Sequence, residues 1–113
     1  MVSIETVRQF ALSFPETDEH PHFHLTSFRV KKKIFATLDE KIKRLMVKLT
    51  VTDQPVFCAY DKAIIYPVPG GWGRKGATYI ELNKVKKSML MDALTTAYCT
   101  VAPPKLAEKY LPK

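Results

Sequence analysis

The chain has 113 residues, 46% of them hydrophobic and 26% charged, and a formal net charge of +7. That length fits one domain spanning residues 1–113 that buries a core without staples, and the ordinary apolar fraction excludes wholesale disorder. No apolar run approaches the ~20 residues of a membrane span, and the charged opening MVSIETVRQF does not fit a secretory leader, so the cytoplasm is the expected compartment, with no membrane partner.

Ser3 suits a helix N-cap, and Ile4, Val7, Phe10, Ala11 and Phe14 follow at helical spacing, which predicts a helix over 3–12. Pro15 ends it, because a residue preceding proline is pushed out of the helical region. FPETDEHPHFH then reads as a polar connector. It holds all three histidines, His20, His22 and His24, at every second position. An extended backbone would turn them to one face, a geometry suited to a transition metal. Pro21 interrupts the run, however, and no cysteine or carboxylate beyond Glu19 completes a ligand set. The stretch is read as a structured lead-in to the first strand, with Phe23 anchored in the core, and not as a metal site.

From Ser27 the period changes to two. Phe28 and Val30 alternate with Arg29; Ile34, Ala36 and Leu38 alternate with Phe35 and Thr37; Leu45, Val47 and Leu49 alternate with Met46 and Lys48. These are three short strands, and their short charged links imply an antiparallel meander. Lys31, Lys32 and Lys33 therefore project from a hairpin tip. Asp53 is the expected cap of a short helix with Pro55 in its first turn, and Ala63 to Val68 reads as a strand kept to an edge or bulge by Pro67. PGGWGRKG holds all four glycines and reads as the most flexible stretch; Thr78, Ile80 and Leu82 mark the last strand. Asn83 is the expected cap of the longest helix, whose stripe contains Val85, Met89, Leu90, Ala93, Leu94 and Ala97, and Pro103 and Pro104 stop it. KLAEKYL can add a final short turn.

The order α-β-β-β-α-β-β-α predicts an α+β fold: two layers, an antiparallel five-stranded sheet with helices packed on one face.

Charge is unevenly distributed. Residues 1–24 carry Arg8 against Glu5, Glu16, Asp18 and Glu19, while residues 25–48 carry eight basic side chains against Asp39 and Glu40. One positive face would attract nucleic acid or another polyanion through counterion release; a solvated surface is the plainer alternative. Within PGGWGRKG, Arg74 and Lys75 suit phosphate, and Trp72 either stacks on a base or folds back onto the core. Lys84, Lys86 and Lys87 crowd the start of the long helix, against its macrodipole. The loop has neither a P-loop nor a dinucleotide-binding pattern, no serine sits in a nucleophile elbow, and no cofactor motif is present. No catalysis is expected. Cys58 and Cys99 lie in apolar surroundings without zinc spacing and are expected as reduced thiols.

The run FPETDEHPHFHLTSFRVKKKIFATL resembles the opening of the MmcQ/YjbR family through Pro15, Thr17, Glu19, His22, Phe23, Phe28, Arg29, Val30 and the Lys33–Ala36 strand. YPVPGGWGRKGATYIEL is similar to that family's proline-rich strand, Trp-Gly loop and last strand, and LMDALTTAYCTVAPPKLA to its closing helix. Lys31-Lys32 stands where members often have Asn-Gly, and Ala77 where they often carry an aromatic. The resemblance implies a secretion-chaperone-like fold, also described as a CyaY-like double wing. It also implies DNA binding, with Lys31, Lys32, Lys33, Arg74 and Lys75 on phosphates and Trp72 beside them. Two other readings stay open: a protein-interaction or chaperone-like module, and a small-ligand binder with a pocket near Glu19, His22 and Trp72. A monomer is the favoured state.

Overall fold

The computed structural model describes residues 1–110. Ser3 opens the first helix, α1 (Ile4–Ser13), its Oγ accepting from the Thr6 N–H at 3.1 Å. Val7 and Ala11 are its fully buried residues. The chain leaves α1 at Phe14, whose ring stacks on Tyr98 at 4.5 Å, and the Tyr98 hydroxyl donates to the Pro15 carbonyl at 2.8 Å.

The segment expected as a polar connector is a strand, β1 (Thr17–His22), paired antiparallel with β2 (Leu25–Val30) from Thr17↔Val30 to His22↔Leu25. The sheet therefore has six strands, not five, in the order β1-β2-β3-β4-β6-β5, every neighbour antiparallel. Pro21 is tolerated because β1 is an edge strand, where a missing N–H breaks no ladder on the open side. Phe23 does not anchor anything: it forms the β1–β2 turn with φ 58° and is 91% exposed. The register demands a two-residue hairpin there, which overrides the preference of an aromatic for the core.

The next hairpin joins β2 to β3 (Lys33–Asp39) through Lys31 and Lys32, with Val30 opposite Lys33. Both turn residues have positive φ, 50° and 68°, as a type I′ turn requires. Between Phe28 and Arg29 the register of β2 against β3 shifts: Phe28 faces Ala36 and Arg29 faces Ile34. Phe35 is the extra residue of this bulge. It turns into the core, edge-on to Phe14 and Tyr98, and Ile34 is displaced to the opposite face, the reverse of the simple alternation.

β4 (Arg44–Lys48) continues the meander, followed by α2 (Asp53–Cys58), β5 (Ile65–Pro67), α3 (Gly71–Arg74) and β6 (Ala77–Glu81). Thr52, not Asp53, is the N-cap of α2; Asp53 N–H donates to Thr50 Oγ1. α4 (Lys87–Val101) begins later than the asparagine suggested. Residues 81–85 make a separate turn, with Lys84 and Val85 N–H on the Glu81 carbonyl, and Lys86 occupies the N-cap with no side-chain cap bond. α5 (Pro104–Ala107) and a 3-10 turn (Glu108–Tyr110) follow.

α1 and α4 pack on one sheet face, which makes the two-layer α+β architecture. Leu90, Ala93, Leu94, Ala97 and Tyr98 of α4 meet Phe28, Val30, Phe35, Ala36, Leu38, Leu45 and Val47. Each large apolar side chain buried there contributes about 1.5–3 kcal/mol. Among the described residues no helix is long and apolar enough to cross a membrane. The other sheet face carries no helix layer, and the site is built on it.

Candidate nucleic-acid interface

Strand pairing decides where the two basic loops lie. Val30 pairs with Lys33, Ala36 with Val47, Lys48 with Ala77, and Thr78 with Pro67. The β2–β3 tip, the end of β4, the start of β6 and the β5–β6 loop thus share one end of the sheet. Two strand spacings separate β3 from β6, about 10 Å. Lys31, Lys32, Lys33, Arg74 and Lys75 therefore sit at one end, with Lys48 between them. Lys31 Nζ lies 3.4 Å from Glu16 Oε1, an exposed pair. Among the described residues, Lys32, Lys33, Lys48, Arg74 and Lys75 take part in no ion pair.

The β5–β6 loop is held, not slack. Residues 71–74 form α3, and a Cβ on Gly73 would lie 1.7 Å from the Val68 carbonyl oxygen. Gly76 has φ 112° and a Cβ there would lie 1.9 Å from the Leu49 carbonyl oxygen, whose residue donates its N–H to Gly76 O. The glycines thus allow backbone to meet backbone. From α2, Gln54 Nε2 reaches Gly73 O at 2.9 Å, and Ala77 O and Thr78 Oγ1 at 3.1 Å. Trp72 is left 69% exposed instead of folding back.

Beside it runs a cleft of about 520 Å³ across the open face. Thr37, Met46 and Tyr79 floor it, His22 and Leu25 wall one side, Trp72 and Val68 the other. His22 and Trp72 therefore share a pocket as expected, but Glu19 does not join them. Glu19 lies three positions before His22 on β1 and so on the opposite, helix-covered face, where Arg8 Nε donates to it at 2.9 Å. This hydrogen bond is the first cause holding the Arg8 pKa above its ordinary value.

The histidines take separate partners. His20 Nδ1 lies 3.1 Å from Pro21 O, the His22 ring meets Phe23 edge-on at 4.9 Å, and His24 Nε2 is 3.7 Å from Asp39 Oδ2. Among the described residues no three histidine, cysteine or acidic side chains are grouped to hold a metal ion.

Arg44 and Tyr79 were not among the residues expected at the site. Arg44, Met46 and Lys48 line the cleft while Leu45, Val47 and Leu49 face the core, so alternation along β4 carried the signal. Arg44 lies over the Tyr79 ring, 3.8 Å from its centroid, and Tyr66 hydrogen-bonds Glu81 beside it. Burial alone would lower the Arg44 pKa, but Tyr66, Tyr79 and Glu81 outweigh it and hold it above the usual arginine value. Burial first, then the hydrogen bond to Glu81, pushes the Tyr66 hydroxyl up. Burial likewise raises the Cys58 and Cys99 thiols, which favours their protonated form.

Residues 12–100 match the YjbR family. The chain belongs to that family. Its fold is similar to that of a Deinococcus radiodurans protein with a DUF419 domain, known from a crystal structure, with a TM-score of 0.77 and 19% identity over 100% of this chain and 84% of that one. At that identity the likeness bears on fold alone. No curated protein matches the chain in sequence.

Proposed function

We propose that this YjbR-family chain is a nucleic-acid-binding module without catalysis. The observation that carries this reading is the convergence of Lys31–Lys33, Lys48 and Arg74–Lys75 on one end of the sheet. Five of these six cations have no ion-pair partner among the described residues. The β2–β3 hairpin and the β5–β6 loop act as two wings about 10 Å apart, each on the phosphate backbone. Phosphate contact positions without reading sequence, so the module is expected to tolerate many sequences. Binding measured against salt tests it. Affinity should fall steeply between about 50 and 200 mM salt, and replacing Lys31–Lys33 by alanine should weaken all sequences alike. No binding at about 50 mM salt would remove the reading.

A second reading, a small-ligand binder, is favoured by the cleft itself, whose volume of about 520 Å³ falls in the range of small-molecule sites.

A further inference from the structure

The cleft lies beside the same basic end, and Trp72 stands at its rim. We infer that the nucleic acid this site takes is single-stranded, with an unpaired base entering the cleft against Trp72. The inference rests on the nucleic-acid reading above and goes further, to the form of the ligand.

Four observations carry it. Trp72 is 69% exposed, on a loop that Gly73, Gly76 and Gln54 fix by close backbone approach and hydrogen bonds. A large indole held outward on a fixed loop is a stacking platform, not a packing residue. Next, the face it borders is concave, with a cleft of about 520 Å³ floored by Met46 and Tyr79. A duplex keeps its bases stacked inside and offers a hollow only phosphates and groove edges, whereas a single strand can splay a base into it. The third is Arg44, whose guanidinium lies over Tyr79 at 3.8 Å and lines the same cleft, a second planar surface on which a base can lie. The fourth is charge complementarity: Lys48 lines the cleft where it meets the Lys33 and Lys75 end, so the phosphates flanking an inserted base meet cations without leaving the face. The molecule is 29 Å across in its middle dimension, enough for a site on the order of 4–6 nucleotides.

Trp72 is the chain's one tryptophan, so its emission reports the cleft directly. The full chain is titrated into an end-labelled mixed-sequence single-stranded oligodeoxynucleotide of about 10 nucleotides and into the same sequence as duplex, at about 50 mM salt, with affinity read from the anisotropy of the label, inorganic polyphosphate read by competition, and Trp72 emission followed in parallel for the parent chain. The expected result is quenching of Trp72 by the single strand alone, with affinity at least about tenfold above the duplex. Trp72→Ala should lower single-strand affinity about 10- to 100-fold and leave duplex and polyphosphate binding unchanged, and Trp72→Phe should restore most of the loss. Equal affinity for duplex and single strand, or saturating single-strand binding with unchanged Trp72 emission, overturns the inference and leaves the phosphate-binding reading standing. Absence of binding to all three probes overturns both.

Discussion

Arg44 lies over Tyr79 with its guanidinium carbon 3.8 Å from the ring centroid, and its cross-strand partner on β6 is Glu81. This cation is occupied from within. Its charge is met by the Tyr79 face, by Tyr66 and by Glu81, in contrast to the unpaired lysines at the far end of the sheet. Arg44→Met should therefore cost about 1 kcal/mol of stability, the size of one cation–π interaction, and leave the salt dependence of polyanion binding unchanged. Denaturant unfolding and binding at several salt concentrations check the two halves separately. A large drop in the salt slope would show Arg44 on phosphate instead.

The Lys31-Lys32 turn sets stability against charge. Two lysines hold positive φ, 50° and 68°, where Asn-Gly is the favoured pair. Replacing them as Lys31→Asn with Lys32→Gly should raise unfolding stability by about 1–2 kcal/mol, because the strain of a lysine Cβ in the left-handed region is relieved. The same variant should bind polyanions less tightly. A rise in both stability and affinity would contradict the assignment of these lysines to phosphate.

The bulge in β3 yields a pair of opposite outcomes. Phe35 is fully buried against Phe14 and Tyr98, so Phe35→Ala should cost about 3–5 kcal/mol. Ile34, displaced to the open face, should cost well under half of that when cut to alanine, roughly 1 kcal/mol. Urea unfolding of the two variants distinguishes this from simple alternation, which gives the larger loss to Ile34.

Tyr98 contributes stability that declines at alkaline pH. Burial, with smaller contributions from Tyr110, Cys99 and Glu16, raises its pKa above the ordinary 10.0. The unfolded chain then loses its phenolic proton first, so the stability from this group is whole below about pH 10 and declines as pH rises through the folded value. Tyr66 acts in the same direction. Tyr98→Phe should cost about 1 kcal/mol at neutral pH through removal of the bond to Pro15 O, and its stability should fall less steeply between about pH 9 and 11 than the parent's. Parallel curves would show that Tyr98 is not the group responsible.

Much of this architecture was legible in residue periodicity. Val7 and Ala11, Leu90 and Leu94, and Leu45 and Val47 all lie where their spacing put them, because burial of an apolar stripe is a local signal. β1 was not legible. Asp18, Glu19, His20 and Pro21 are all outside the core on an edge, so no apolar alternation marks the strand. Phe35 and Ile34 were exchanged because a bulge changes parity without changing composition. Phe23 was placed in the core on hydrophobicity alone, yet a two-residue hairpin put it outside. The basic loops were visible as charge, but their common end follows only from the register of four strand pairings. Arg44 on Tyr79 needed the β4–β6 pairing, which joins residues far apart in sequence.

The central claim is that the two basic loops form one polyanion-binding surface. Its most direct test is the salt dependence of binding for the parent, for Lys31, Lys32 and Lys33 replaced by alanine, for Arg74 and Lys75 replaced by alanine, and for all five together. The account predicts that each set lowers the slope of log affinity against log salt by about 0.7–0.9 for each phosphate no longer neutralised, and that the combined variant keeps only the small slope left by Lys48. A parent that binds with no salt dependence, or a slope unchanged by removal of either loop's cations, would contradict it.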